Sequence, residues 1–176
     1  MWNGNNPYTF ADPSGYDAIV TVEGNNVTIN VPVKFQGGTD EDRARVSSLI
    51  SQQFSGKFGD YHVTTKVTEG ALNGLANTIT FDDNGGTNVT VESGTMSHMH
   101  LNMTDPNIAY GIKHEAGHLL GLQDEYTKIL NDKGEMVGST PHPGFEANLM
   151  GRNGAYDLTE RQIDQIISSL QNVRNI

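Results

Sequence analysis

Cysteine is missing from all 176 residues. Disulfides, thiolate metal sites and cysteine nucleophiles are therefore excluded. The absence fixes no compartment, and it suits a chain that passes from one redox environment to another. Basic residues are scarce: 11 Lys and Arg stand against 21 Asp and Glu, a formal net charge of −10. No Lys/Arg cluster offsets this, so general binding to nucleic acid or to an anionic membrane is not expected. No apolar run approaches the length of a membrane span. The opening stretch MWNGNNPYTFADPSG has neither the basic n-region nor the apolar segment of a signal peptide. Export is then expected to come from a longer gene product or a dedicated machine. Apolar residues are also sparse, at 35%, while glycines number 20. That balance favours many turns and short elements, within a length that suits one domain.

Residues 1–15 are rich in Asn, Pro and Gly and lack periodicity, which reads as an extended arm or linker. YDAIVTVEGNNVTINVPVKF then predicts a hairpin about Gly24-Asn25-Asn26. A helix over about 40–55 follows, with Thr39 as N-cap, acidic residues in its first turn, and Val46, Leu49, Ile50 and Phe54 as one apolar stripe. Strands are expected at YHVTTKVTEG, NTITFDD, TNVTVES and HMHLNM. FDDNGGTN (residues 81–88) has acidic and amide oxygens but not the spacing of a calcium loop, and reads as a turn. A second helix runs from about 106 to 120, with Asp105 as cap and Pro106 at its first position. Residues 124–148 read as irregular apart from a small hairpin at NDKGE. In the last segment Thr159 and Gln162 form a capping box, Leu158 and Ile163 a hydrophobic staple, and Ile163, Ile166, Ile167 and Leu170 a buried face. The order predicts an α+β domain with one mixed sheet and three main helices.

The chemistry concentrates in HEAGHLLGLQDEY, residues 114–126. On a helix, His114 and His118 lie about 40° apart in angle and about 6 Å along the axis, so both imidazoles can converge on one ion. Glu115 projects to a neighbouring angle, where it can take a proton from a water without being a ligand. A continuous helix would carry Asp124 about 9 Å beyond His118 and about 120° away. The helix must therefore stop first. Gly121 is where a left-handed cap costs least, and the chain can then turn Asp124 back toward the ion. Glu125 is the nearest rival to Asp124, and His142, in TPHPGFE, is a rival third ligand or a substrate-pocket residue.

This run, together with EANLMG at 146–151, is similar to the extended zinc motif and Met-turn of the metzincin metalloproteases. Aspartate replaces the usual third histidine, a variant some members carry. The resemblance implies a mixed twisted sheet, a backing helix, an active-site helix, a Met-turn with Met150 beneath the metal, and a C-terminal helix, all within one metalloprotease domain over 16–176. It implies one catalytic Zn²⁺ held by His114, His118 and Asp124, with Glu115 as general base for peptide hydrolysis. Some metzincins place a tyrosine two residues after the methionine. Arg152 stands there in this chain, which leaves Tyr126 and Tyr156 as candidates for transition-state stabilisation. A strand within 87–103 is expected to align substrate by backbone pairing.

A second resemblance lies in NNPYTFADPSG, residues 5–15. It looks like the end of an RHS-repeat core, after which a variable C-terminal toxin begins. On that reading 1–15 is a remnant of the core, the domain is secreted or delivered into another cell as part of a larger protein, and its partners are a protein or peptide substrate and a cognate immunity or inhibitor protein. The rival functions are a metzincin-like binding module without turnover, a structural plug in a larger assembly, and a general secreted digestive protease. The intact Glu115 argues against the first of these, because a binding scaffold has no use for a base.

Overall fold

The computed structural model describes residues 17–92, 95–169 and 174–175; for residues 91, 92, 95, 96, 174 and 175 it describes the backbone alone. The two-residue loop Gly24-Asn25, with Gly24 at φ 59°, joins β1 (Ile19–Glu23) to β2 (Asn26–Gln36). The positive φ is one that glycine reaches without a Cβ clash, and it matches the twist of a tight hairpin. Helix α1 (Asp40–Gln53) begins on a full capping box. Thr39 Oγ1 accepts from Asp42 N, and Asp42 Oδ2 accepts from Thr39 N at 2.9 Å. The Asp42 carboxylate also accepts from the Thr39 hydroxyl at 2.7 Å, and this bond, with the one from Thr39 N, holds the carboxyl below its usual range. Then come β3 (Gly56–Phe58), β4 (Tyr61–Glu69), β5 (Asn77–Phe81), β6 (Asn88–Glu92) and β7 (Thr95–Leu101). Helix α2 (Ile108–Leu119), the hairpin β8 (Tyr126–Leu130) and β9 (Met136–Pro141), helix α3 (Glu160–Ser169) and the short β10 (Arg174–Asn175) complete the order.

The main sheet is mixed and runs β10-β1-β2-β5-β7-β6, with β4 also on β2 and β3 on β4. Strand β2 is the organiser. It pairs antiparallel with β1, parallel with β4 over 26–33, and parallel with β5 over 33–36. Its alternate residues Val27, Ile29, Val31 and Val33 are buried, and they meet Val46, Ile50 and Phe54 of α1, Ile112, Ala116 and Leu119 of α2, and Ile163 and Ile166 of α3 in one core. The sheet and all three helices therefore share a single apolar interior, as a chain of this length requires. Strand β6 is the sheet's last strand, antiparallel to β7, and Thr87 at its approach packs where a Cβ on Gly111 of α2 would stand.

Several expectations shift. Helix α2 starts at Ile108, and Pro106 lies ahead of it. The Asp105 carboxylate accepts from Asn107 N at 2.7 Å, so it shapes the turn before the helix instead of capping it. The small hairpin expected at NDKGE is present and longer than expected: β8 and β9 form a two-stranded sheet over 126–141, so less of 124–148 is irregular than the sequence suggested. The hairpin's side chains are exposed on both faces, so the alternation that reveals a half-buried strand is missing. Strand β7 begins at Thr95, before the HMHLNM stretch, and β3 and β10 had no sequence signal. Residues 1–15 and Leu170 lie outside the described residues.

Candidate metal centre

Helix α2 presents His114 and His118 from adjacent turns, and their rings meet edge to face at 5.0 Å. The helix ends at Leu119. Gly121 has φ 90°, and Leu122 N donates back to Gly117 O at 2.9 Å. This left-handed turn reverses the chain. Asp124 Oδ1 arrives 3.2 Å from His114 Nε2 and 3.4 Å from His118 Nε2. These three atoms lie within 4.8 Å of one another, and among the described residues they form the group able to hold a metal ion.

Hydrogen bonding on the far side of each ring fixes what these atoms are. His114 Nδ1 lies 3.0 Å from Leu149 O, and His118 Nδ1 lies 2.9 Å from Leu122 O. A carbonyl only accepts, so each Nδ1 carries the proton and each neutral ring turns an Nε2 lone pair inward. Those lone pairs face the carboxylate. Asp124 Oδ1 is buried and has no hydrogen-bond partner. Three electron-rich atoms held this close, without a hydrogen bond among them, fit a cation.

The electrostatics carry the same sense. Burial works to raise the Asp124 carboxyl, and the two imidazoles overcome it and hold the group below the carboxylate range. Burial works to lower His118, but Asp124, Glu115 and the Leu122 carbonyl outweigh it and raise the ring. With no ion bound, a proton is what the cluster draws in. Glu115 stands beside the three donors and not among them. Burial raises its carboxyl, against the pull of His118, His114 and a hydrogen bond from the Val89 amide of β6. The base candidate is thus tied to the edge strand.

Other candidates separate. The Tyr126 ring lies 6.5 Å from that of His114; burial, first, and the nearby Asp124 carboxylate push its hydroxyl up to about 12. His142 pairs instead with Glu125, Nδ1 to Oε2 at 3.3 Å, so neither rival joins the donors. Tyr156 is 45% exposed, meets Tyr110 edge-on, and carries the Lys113 ammonium over its ring at 4.4 Å. Met150 is fully buried beneath α2, where a Cβ on Gly117 would come within 2.6 Å of its Sδ. Met150 O accepts from Glu125 N at 2.8 Å, which pins the segment carrying Asp124 onto the turn that holds Met150.

Two supports had no place in the motif reading. Tyr110, four residues before His114, lies on the same helix face. Its hydroxyl donates to Leu149 O at 3.0 Å and lies 3.1 Å from His114 Nδ1, so tyrosine and histidine share one carbonyl. Burial, first, and nearby acidic groups hold that hydroxyl protonated. The second is a buried amide pair. Asn148 Nδ2 donates to Gln162 Oε1 at 2.7 Å, Gln162 Nε2 donates to Asn148 Oδ1 at 3.0 Å, and Met150 N also donates to Asn148 Oδ1 at 2.9 Å. The i−4 spacing of Tyr110 could have flagged the first. Nothing local could have flagged the second.

No protein-family model matches the chain, and no curated protein does. Among solved structures, two of myroilysin are similar. One aligns at TM-score 0.41 and 20% identity over 59% of this chain and 55% of that one, so the chain spans about half the myroilysin chain there. The other aligns at TM-score 0.39 and 16% identity over 86% of this chain and 69% of that one.

Proposed function

We propose that the chain is a zinc-dependent endopeptidase of the metzincin kind, with His114, His118 and Asp124 as metal ligands and Glu115 as general base. The observation that carries this reading is the Oδ1 atom of Asp124: buried within a partly exposed carboxylate, without a hydrogen bond, and facing the Nε2 atoms of two imidazoles. Two imidazole nitrogens and one carboxylate oxygen form a donor set that zinc takes with a fourth position open. When bound, zinc supplies the Lewis acid that makes a water acidic near neutral pH and polarises a carbonyl.

The chain's own residues do the rest. Glu115 accepts the proton of the attacking water and returns it to the leaving amine. Burial gives its carboxyl the proton affinity this needs. Tyr126, protonated at any working pH, stands near Asp124. Met150 fills the space that the side-chain-free Gly117 leaves beneath the helix. Strand β6, at the end of the sheet, aligns the substrate main chain beside Glu115 by backbone pairing.

Within this reading the domain is the detachable effector of an RHS-type toxin, carried to its target by a larger protein and restrained by an immunity partner. Support for that part is the NNPYTFADPSG stretch alone. Chelation tests the hydrolase reading. Dialysis against a strong chelator is expected to abolish peptide cleavage, and about one equivalent of zinc per chain to restore it, as three ligands and one site require. Cleavage that survives complete removal of metal would contradict it.

A further inference from the structure

We propose that one face of the β8–β9 hairpin is a docking face for an extended, apolar stretch of the polypeptide that the metal centre cuts. The inference deepens the hydrolase reading and rests on it.

Side chains alternate along a strand. Asp124, just ahead of β8, is followed at every second position by Tyr126, Lys128 and Leu130. The Tyr126 ring lies 6.5 Å from that of His114, so this face begins at the metal centre. The opposite face is identified independently: His142 contacts Glu125 and Thr127, and Ile129 lies over Gly138. The register carries the Tyr126 face out to Leu130, opposite Met136, where a one-residue shift sets Val137 alongside. Leu130, Met136 and Val137 are 56%, 51% and 63% exposed.

Single exposed apolar residues need no explanation, but three adjacent ones at one tip do. Among the described residues β8 and β9 pair only with each other. The tip is held in shape. Asn131 N donates to Glu135 O, Asn131 Oδ1 accepts from Lys133 N and Glu135 N, and Asn131 Nδ2 donates to Glu135 Oε2 at 2.7 Å. A preorganised apolar surface loses little entropy on binding. Leu130 lies about 13 Å along the strand from Tyr126, the reach of four residues of extended peptide. Continuity decides the occupant: a chain lying along this face arrives at Asp124 and Glu115. It is therefore the substrate, with apolar side chains about four residues from the bond cut, and not a second copy of the protein.

The probe is β-casein, an unstructured and apolar polypeptide. Its cleavage sites, mapped by mass spectrometry on the zinc-loaded protein, should show apolar residues enriched about four positions to one side of the cut. Leu130→Ser with Val137→Ser should then lower the ratio of kcat/KM on a long peptide around a mapped bond to that on a short one. The expected drop is at least about tenfold, carried by KM, because two apolar side chains lose their burial. Casein binding to the Glu115→Gln protein, which needs no turnover, should weaken by a similar factor when the pair is added. Melting temperatures of the variants check that the exposed substitutions leave the fold intact. An unchanged ratio with unchanged binding overturns the proposal. So does self-association of the wild type that the double substitution relieves without affecting casein binding, since the face then serves a second copy. A zinc-loaded wild type that cuts nothing sinks the hydrolase reading separately, and the hairpin's role is then decided by the binding measurement.

Discussion

At the residue scale the site depends on which atoms carry protons. His114 and Tyr110 both donate to the Leu149 carbonyl, so the ring is fixed as the Nδ1–H tautomer with Nε2 directed at Asp124. Tyr110→Phe keeps the ring and removes one donor. Loss of such an outer partner commonly weakens metal binding about 10–100-fold. Zinc affinity, measured by competition with a chromogenic chelator, is expected to fall by that order while the metal-free melting temperature stays near wild type. An unchanged affinity would show that the Leu149 carbonyl alone is enough. Asp124 and Glu125 provide a paired test. Asp124→Ala removes the carboxylate that faces both imidazoles and should sharply reduce zinc content by elemental analysis, whereas Glu125→Ala breaks only the contact with His142. The opposite ranking would mean the third ligand is misassigned. Asp124 could be read from sequence because Gly121, a local feature, told where the helix must end. The Leu149 carbonyl could not, because it meets His114 across 35 residues of chain.

At the element scale the turn at 146–151 and α3 act as one unit. Gln162 plays two parts. Its Oε1 accepts from Thr159 N at 3.0 Å in the capping box, and its amide pairs with Asn148 beneath Met150. The capping box was legible as Thr-x-x-Gln ahead of an apolar stripe. The pairing was not, since it depends on how two distant segments pack. The two roles separate on substitution. Glutamate serves a capping box as well as glutamine does. Yet Gln162→Glu would set a carboxylate oxygen against Asn148 Oδ1 and remove a buried donor. The variant is expected to lose about 1–3 kcal/mol of stability in urea unfolding at neutral pH. A neutral effect would show that the amide pair contributes nothing net. The α2 glycines follow the same logic. Gly111 and Gly117 look like helix breakers in the sequence, but their missing side chains admit Thr87 and Met150. The turn of the β8–β9 hairpin was legible in NDKGE, but the extent of its strands was not: with two strands and no second layer, burial left no periodic mark on their sequence.

At the scale of the molecule, strand β2 and the three helices build one core, and the candidate site sits where α2, the edge strand β6 and the turn that holds Met150 meet. The order of strands and helices could be read from patterning, because periodicity and turn residues are local. How β2 shares itself among β1, β4 and β5 could not, because parallel partners come from far along the chain. The central claim is that this arrangement hydrolyses peptide bonds with Glu115 as base. Glu115→Gln is nearly isosteric, touches no ligand, and removes only the proton acceptor. General-base catalysis contributes about 10²–10⁴-fold, so kcat/KM on a peptide substrate should fall at least that far while zinc content and melting temperature stay near wild type. Cleavage by the variant at the wild-type rate, with zinc bound, would contradict the account.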